Sequence, residues 1–322
     1  MKAIKARTRF ALTGTPIENH LGELWSIFDF LMPGFLLTAA KFRKNFEIPI
    51  VRDGDKDALN RLHRMTGPFL LRRLKKDVLK ELPDKMETVL FSQMEGEQKR
   101  LYTANAAALK NRLLEEGDAL PGNDQIRILT ELMKLRQICC EPSLCFSKYK
   151  GGSAKLETCM ELLENGTQAG HKILLFSQFT SMLDRLRERL DALHISNFTL
   201  QGSTPKEKRA AMVKAFNAGS ASVFLISLKA GGMGLNLTAA DIVIHYDPWW
   251  NQAAQDQATD RAHRIGQQAH VQVYKLIAKD TIEERILELQ NRKLALLDTI
   301  SGCEEAGILN MSSEELLSLL KS

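Results

Sequence analysis

Apolar positions follow two rhythms along the chain. Before residue 155 they recur mainly at helical spacing. Over 18–32, Leu21, Leu24, Trp25, Phe28 and Leu31 or Met32 share one face, and Pro33-Gly34 stops the run. Residues 36–80 read as further short helices rich in Arg and Lys, with 69–73 (FLLRR) as a short strand. Residues 83–94 pass through Pro83 into an extended run, METVLFSQM. Two helices follow at 96–115 and 125–139, separated by a polar loop over 117–124, and 141–154 is the best linker candidate. Residues 9–12 (RFAL) read as the end of a buried strand that runs straight into Thr13-Gly14-Thr15-Pro16.

From 155 onward the rhythm changes. Short apolar runs at 172–178, 197–200, 223–228, 242–245 and 271–278 alternate with helical patterns. Strands alternating with helices of about 10–15 residues predict a parallel, doubly wound α/β sheet. Thr204-Pro205-Lys206-Glu207 and Thr281-Ile282-Glu283-Glu284 are two capping-box helix starts. The last segment sets Ile282, Ile286, Leu289, Leu296, Leu297 and Ile300 largely on one face, as expected of a brace packed on the sheet.

Composition narrows this picture little. With 322 residues, 44% hydrophobic and 26% charged, the chain has room for about two globular domains. No apolar run reaches the ~18 residues that span a bilayer, and the first twenty residues lack the apolar core of a signal peptide, so no membrane partner is expected. The five cysteines fit no disulfide framework, which favours a reducing compartment. Cys139, Cys140 and Cys145 lack a second ligand pair at zinc-site spacing, so no metal site is expected of them. The net charge of +5 is uneven, because residues 1–80 carry 16 Lys+Arg against 8 Asp+Glu. A basic first quarter suits a polyanionic partner.

The candidate chemistry lies where a parallel sheet binds ligands, beyond the carboxyl ends of its strands. Ser177 and Gln178 follow the first run, Gln201, Gly202, Ser203 and Thr204 the second, and residues 228–236 (LKAGGMGLN) the third. Three glycines within four residues let backbone N–H groups approach an anion, although a flexible turn would look the same. Three such loops along one edge could track a phosphodiester backbone. Asp247, Pro248, Trp249, Trp250 and Asn251 follow a fourth strand, with Asn251 a suitable N-cap for the next helix. That helix is expected to carry residues 257–267, QATDRAHRIGQ, with Gln257, Arg261 and Arg264 on one face. Two guanidiniums and an amide so placed would grip phosphate oxygens, and a solvated charged helix is the plainer alternative.

Taken together, LTGTPIEN (12–19) with GELW (22–25), FLLRRLKKDV (69–78), ILLFSQF (173–179), LQGST (200–204), SLKAGGMGLNLTAADIVIHYDPWWN (227–251) and QATDRAHRIGQ (257–267) resemble the Swi/Snf-type family of DNA translocases in helicase superfamily two. The resemblance covers most of the chain. An RNA helicase of the superfamily would more typically read HRxGRxxR where this chain has HRIGQ. The resemblance implies a remnant of a first RecA-like lobe at 1–17, carrying the coupling motif III with Thr13, Gly14 and Thr15. It implies helical protrusions over 18–82 and, with a linker, 83–154. A second RecA-like lobe would occupy 155–280 and a helical brace 281–322. It assigns Arg261 and Arg264 as arginine fingers and Gln257 as a lobe-closing residue. Gly234 and Asn236 would join the two arginines in binding ATP. Ser177, Gln178, Gly202, Ser203, Ser227, Gly231, Gly232 and Trp250 would lie along DNA. Gln252 departs from the family, which commonly has Pro there.

A working motor also needs a GxxxxGK[ST] loop and an acidic pair to hold Mg²⁺. This chain contains no Gly-Lys and no Asp-Glu dipeptide. The expectation is therefore the C-terminal part of a double-stranded-DNA-stimulated ATPase. ATP with Mg²⁺ would bind only in the intact two-lobe enzyme, and these 322 residues would be inactive alone. A stand-alone DNA-binding or partner-binding module with this fold is the alternative. Expected partners are duplex DNA and a DNA-bound protein such as RNA polymerase or a nucleoprotein complex. The expected location is the cytoplasm, beside the nucleoid, for a prokaryotic source and the nucleus for a eukaryotic one.

Overall fold

A computed structural model describes residues 6–13, 21–51, 53–71, 73, 79, 82–116, 122–231, 234–299 and 320. The chain forms two compact units, one of Met1–Val78 with Gln290–Met311 and one of Leu79–Leu289 with Ser312–Ser322.

The first unit is helical. Helix α1 (Gly22–Leu31) buries Leu24 and Phe28, and α2 (Lys56–Thr66) buries Ala58 and Leu62. Asp55 caps α2 by accepting from the N–H groups of Asp57 and Ala58. Short helical segments between them add Phe42, Phe46 and Ile50 to the same core. Two expectations fail here. Residues 69–73 supply no strand among the described residues, because Gly67–Phe69 closes a 3₁₀ turn around Pro68 and leaves Leu71 exposed. Residues 9–12 likewise form no strand among the described residues, and Phe10 and Leu12 are exposed. Thr13 is exposed. Gly14 and Thr15, the rest of the coupling motif, lie outside the described residues.

The second unit is built on a six-stranded sheet. Its elements run β1 (Lys85–Ser92), α3 (Gly96–Glu116), α4 (Gly122–Cys140), α5 (Ala154–Gln168), β2 (Ile173–Ser177), α6 (Thr180–Ala192), β3 (Asn197–Leu200), α7 (Lys206–Asn217), β4 (Val223–Ser227), β5 (Ile242–His245), α8 (Gln252–Thr259), β6 (Val271–Ala278) and the start of α9 (Ile282–Thr299), whose residues from Gln290 belong to the first unit. Strand order is β1-β6-β5-β2-β4-β3, and every pair is parallel. β2, β4 and β5 are fully buried, as expected of strands covered on both faces whose residues are apolar up to a polar last position, Ser177, Ser227 and His245. Alternation divides the core. Ile173, Leu175, Leu225 and Ile244 meet α5 and α6, whereas Leu174, Phe176, Phe224 and Val243 meet Phe216 of α7 and Ala258 of α8. The doubly wound α/β expectation holds. The stretch expected to be linker and protrusion, 83–154, contributes β1 to this sheet, paired with β6 from Lys85↔Val271 to Ser92↔Ala278.

Helix starts follow the capping signals unevenly. Thr281 accepts from the N–H of Glu283, and Glu284 from that of Asp280. At the other box, Thr204 Oγ1 instead accepts from the Gln201 N–H, and α7 begins after Pro205 with no side-chain cap. Thr204 thus closes the turn after β3 rather than the helix.

Candidate functional site

The chain leaves β2 toward β3 and β4 on one side and leaves β5 toward β6 on the other, so the crevice between β2 and β5 is the switch point of the sheet. The two loops that flank it are tied together by one buried carboxylate. Asp247, after β5, accepts from Ser177 Oγ at the end of β2 at 2.5 Å and from the N–H of Gln178, the next residue, at 3.3 Å. Burial pushes the Asp247 carboxyl up from its ordinary value, against the pull of Arg136 and of the Ser177 hydroxyl.

Arg136 on α4 completes this knot. Its guanidinium is 1% exposed. Nη1 donates to Gln178 Oε1 at 3.0 Å, Nη2 donates to the Pro248 carbonyl, and Nη2 lies 3.6 Å from Asp247 Oδ2. Its Cζ also stands 5.7 Å from the ring centroid of Phe179 and 5.5 Å from that of Trp250. Sequence reading missed Arg136. The signal was a charge inside the apolar run LMKLRQICC, on a helix that buries Leu132, Leu135 and Ile138.

The expected DNA-facing residues divide by exposure. Gly202 and Ser203 are exposed, in a loop whose carbonyls at Gly202 and Thr204 accept from Arg209. Gln178 and Trp250 are half-buried at the crevice mouth. Ser177 is wholly buried, and its hydroxyl is engaged with Asp247 and the Phe179 N–H, so its place is beneath the surface rather than along a ligand. Its neighbour across the ladder, Ser227, is also buried and accepts from the Ala230 N–H at 3.3 Å. That contact starts one helical turn, Leu228–Gly231, at the head of the loop in which the glycines were expected to bring backbone N–H groups to an anion. Gly231 ends this turn, and Gly232 lies outside the described residues. Trp249 packs on the core.

The arginine stretch is organised differently from its sequence reading. Asn251 caps α8 by accepting from the Ala254 N–H, but the helix stops at Thr259. Only Gln257 is helical, and it is exposed. Arg261 and Arg264 sit in tight turns, in which the Arg261 N–H reaches Ala258 O and the Ala262 N–H reaches Thr259 O. Three features shape the turns. Gly266 adopts φ +100°. Gln267 donates to the Ala240 and Ala262 carbonyls and accepts from the N–H groups of Gln268 and Ala269. The Leu237 N–H donates to Arg261 O at 3.0 Å. This last bond lays the 234–237 segment beside Arg261. Gly234 (φ +58°) and Asn236 are exposed there. Burial lowers the pKa of the Arg261 guanidinium, the Arg264 charge lowers it further, and Asp260 partly opposes them.

No helix among the described residues is long and apolar enough to cross a membrane, and no cluster of three His, Cys, Asp or Glu among them could hold a metal ion. Cys139 and Cys140 are buried thiols whose pKa values burial raises.

Two family models match, an SNF2-related domain over residues 1–144 and a helicase conserved C-terminal domain over residues 154–266. An uncharacterised ATP-dependent helicase of Mycoplasma pneumoniae is 40% identical over 99% of this chain, which spans 30% of that protein's length. The Sulfolobus solfataricus SWI2/SNF2 ATPase core in complex with double-stranded DNA is similar with a TM-score of 0.62 and 36% identity, over 95% of this chain and 65% of that one. The Sulfolobus solfataricus SWI2/SNF2 ATPase C-terminal domain is similar with a TM-score of 0.60 and 31% identity, over 73% of this chain and 98% of that one. Sheet, crevice and arginine turns define a RecA-like lobe of the superfamily-two type. The chain belongs to the SWI2/SNF2 family of ATP-dependent helicase-like proteins and chromatin remodellers.

Proposed function

We propose that the chain is the C-terminal part of a double-stranded-DNA-stimulated ATPase that moves along duplexes and remodels protein–DNA contacts. The observation that carries this reading is the joining, in one sheet, of a braced crevice and a turn that holds two arginines together. Loops at the crevice, with Gln178, Gly202, Ser203 and Trp250, would meet the sugar–phosphate backbone. Arg261 and Arg264 would meet the terminal phosphates of ATP, where a planar cation stabilises charge that develops during phosphoryl transfer. Their mutual repulsion fits an anionic nucleotide, and Gly234 and Asn236 lie where the same anion would touch backbone. Gln257, on the exposed face of α8, would help close the two lobes. Mg²⁺ would accompany ATP in the intact two-lobe enzyme, held by residues of the other lobe.

Within this reading the 322 residues hold half of an ATP site and hydrolyse nothing alone. The partners would be duplex DNA and a protein bound to it, in the cytoplasm or the nucleus according to the source. Competition binding tests the reading. Duplex DNA should displace a labelled duplex from this chain better than single strands or RNA do. Duplex-stimulated phosphate release by the 322 residues alone, or equal preference for RNA, would overturn it.

A further inference from the structure

The described residues of α4 belong to a helical stretch that the sequence assigns no chemistry. One of its side chains nevertheless makes the densest set of contacts in the crevice. Arg136 reaches three segments at once, the Gln178 side chain, the 247–248 backbone and carboxylate, and the aromatic rings of Phe179 and Trp250. A buried ion pair alone would need only Asp247. The fork of the guanidinium is used in full on that side, with one nitrogen on each loop. Two polar atoms of the knot, Arg136 Nε and Gln178 Nε2, are buried without a hydrogen-bond partner, so the arrangement is not the one that best satisfies its own groups. It is the one that fixes Gln178 and Trp250 at the mouth of the crevice.

The geometry points to Arg136 as a positioning residue for duplex binding, which sets Gln178 and Trp250 from below and links them to α4. It touches no ligand itself. The inference rests on the reading of the crevice as a DNA-facing edge, and its tests separate the two. Arg136→Lys keeps a cation near Asp247 but lacks a fork that can serve both loops. With 5-fluorotryptophan incorporated, the fluorine resonance of Trp250, assigned by Trp250→Phe, should move in Arg136→Lys, whereas that of Trp25 in the other unit should stay. Duplex affinity should fall about tenfold with little change in thermal midpoint. In a Gln178→Ala background the same substitution should cost about threefold or less, because part of its effect passes through Gln178.

Should Arg136→Lys fail to fold, Arg136→Met combined with Asp247→Asn removes both charges and leaves neither buried alone. That pair should fold with a displaced Trp250 resonance and weakened binding. An unmoved Trp250 resonance, unchanged duplex affinity, or full additivity with Gln178→Ala would overturn the inference. If the wild-type chain bound no duplex, the DNA reading would fall, and the Trp250 resonance would still decide whether Arg136 sets that ring.

Discussion

The lobe uses arginine in two opposite ways, a contrast that separates scaffold from chemistry. Arg136 is surrounded by acceptors from its own protein, with a carboxylate at 3.6 Å, two oxygens in hydrogen bonds and aromatic faces above. At Arg261, burial and the Arg264 charge lower the pKa and Asp260 partly opposes them. Neutralised internally, the first guanidinium spends its bonds on geometry. For Arg261, burial and the Arg264 charge disfavour the cation, and an incoming anion would favour it. A buried charge by itself therefore says little, and the sign of its neighbours tells which kind it is.

The strongest test of this contrast removes the chemical pair. In the intact enzyme, Arg261→Ala or Arg264→Ala should lower turnover about 10³-fold or more while duplex affinity stays within about twofold. Equal losses of turnover and affinity, measured by phosphate release and duplex titration, would place these arginines on DNA or in the scaffold. The matching test unbalances Arg136. Asp247→Ala leaves its charge buried without a carboxylate and should cost about 3 kcal/mol of stability in denaturant unfolding. Adding Arg136→Met should return a good part of that loss. If Asp247→Ala changed stability by less than about 1 kcal/mol, Arg136 would be a solvated cation after all.

These tests turn on residues that differ in how far the sequence disclosed them. The three central strands were legible because a strand buried on both faces is apolar along its length, as ILLF, VFLI and IVI are before each strand's polar last residue. Asn251 was legible because N-capping is a local bond. The helical reading of residues 257–267 failed after Thr259 because the turns there are set from a distance, by Ala240 accepting from Gln267 and by Leu237 donating to Arg261. No periodicity within eleven residues can report such bonds. Ser177 was placed on the ligand side for its hydroxyl, but a strand-end serine can equally be drawn under the sheet edge by a carboxylate seventy positions later. Arg136 and Pro248 are 112 residues apart, and only the folded sheet brings them together.

A smaller effect separates the scaffold from the nucleotide side by pH. His245 is buried, its Nε2 lies 2.8 Å from Thr259 Oγ1, and burial lowers its pKa from 6.5 to about 3. Its folded pKa lies below its unfolded one, so the stability it contributes is present above about pH 6.5 and lost as pH falls toward 3. The loss should reach about 2 kcal/mol at pH 5 relative to neutrality. Glu87 acts in a lower window that overlaps this one. Burial would raise its pKa, but the hydrogen bonds of Lys275 and Lys85 prevail and bring it from 4.5 to about 2, so its contribution is lost between those values. Thermal midpoints should therefore start to fall near pH 6.5 and steepen below 4.5. His245→Gln should remove the upper part of the decline, and a profile unchanged by that substitution would assign the decline to other groups.

The smallest effect isolates the ligand-facing edge from the scaffold beneath it. Gly202 is exposed, its φ is not in the left-handed region, and a Cβ built on it meets no atom within 4 Å. Nothing in the fold requires glycine there. Gly202→Ala should leave the thermal midpoint unchanged within about a degree, because no contact is lost and the backbone is unstrained. A phosphate drawn close to the backbone of this loop would meet the added methyl, and duplex affinity should fall about threefold. Direct contact with a mobile, solvated polyanion is spread over many weak partners, so a larger loss is not expected at one position. If affinity stayed the same while Gly202→Ala remained folded, this loop would stand back from DNA, and the DNA-facing edge would narrow to the crevice that Arg136 braces.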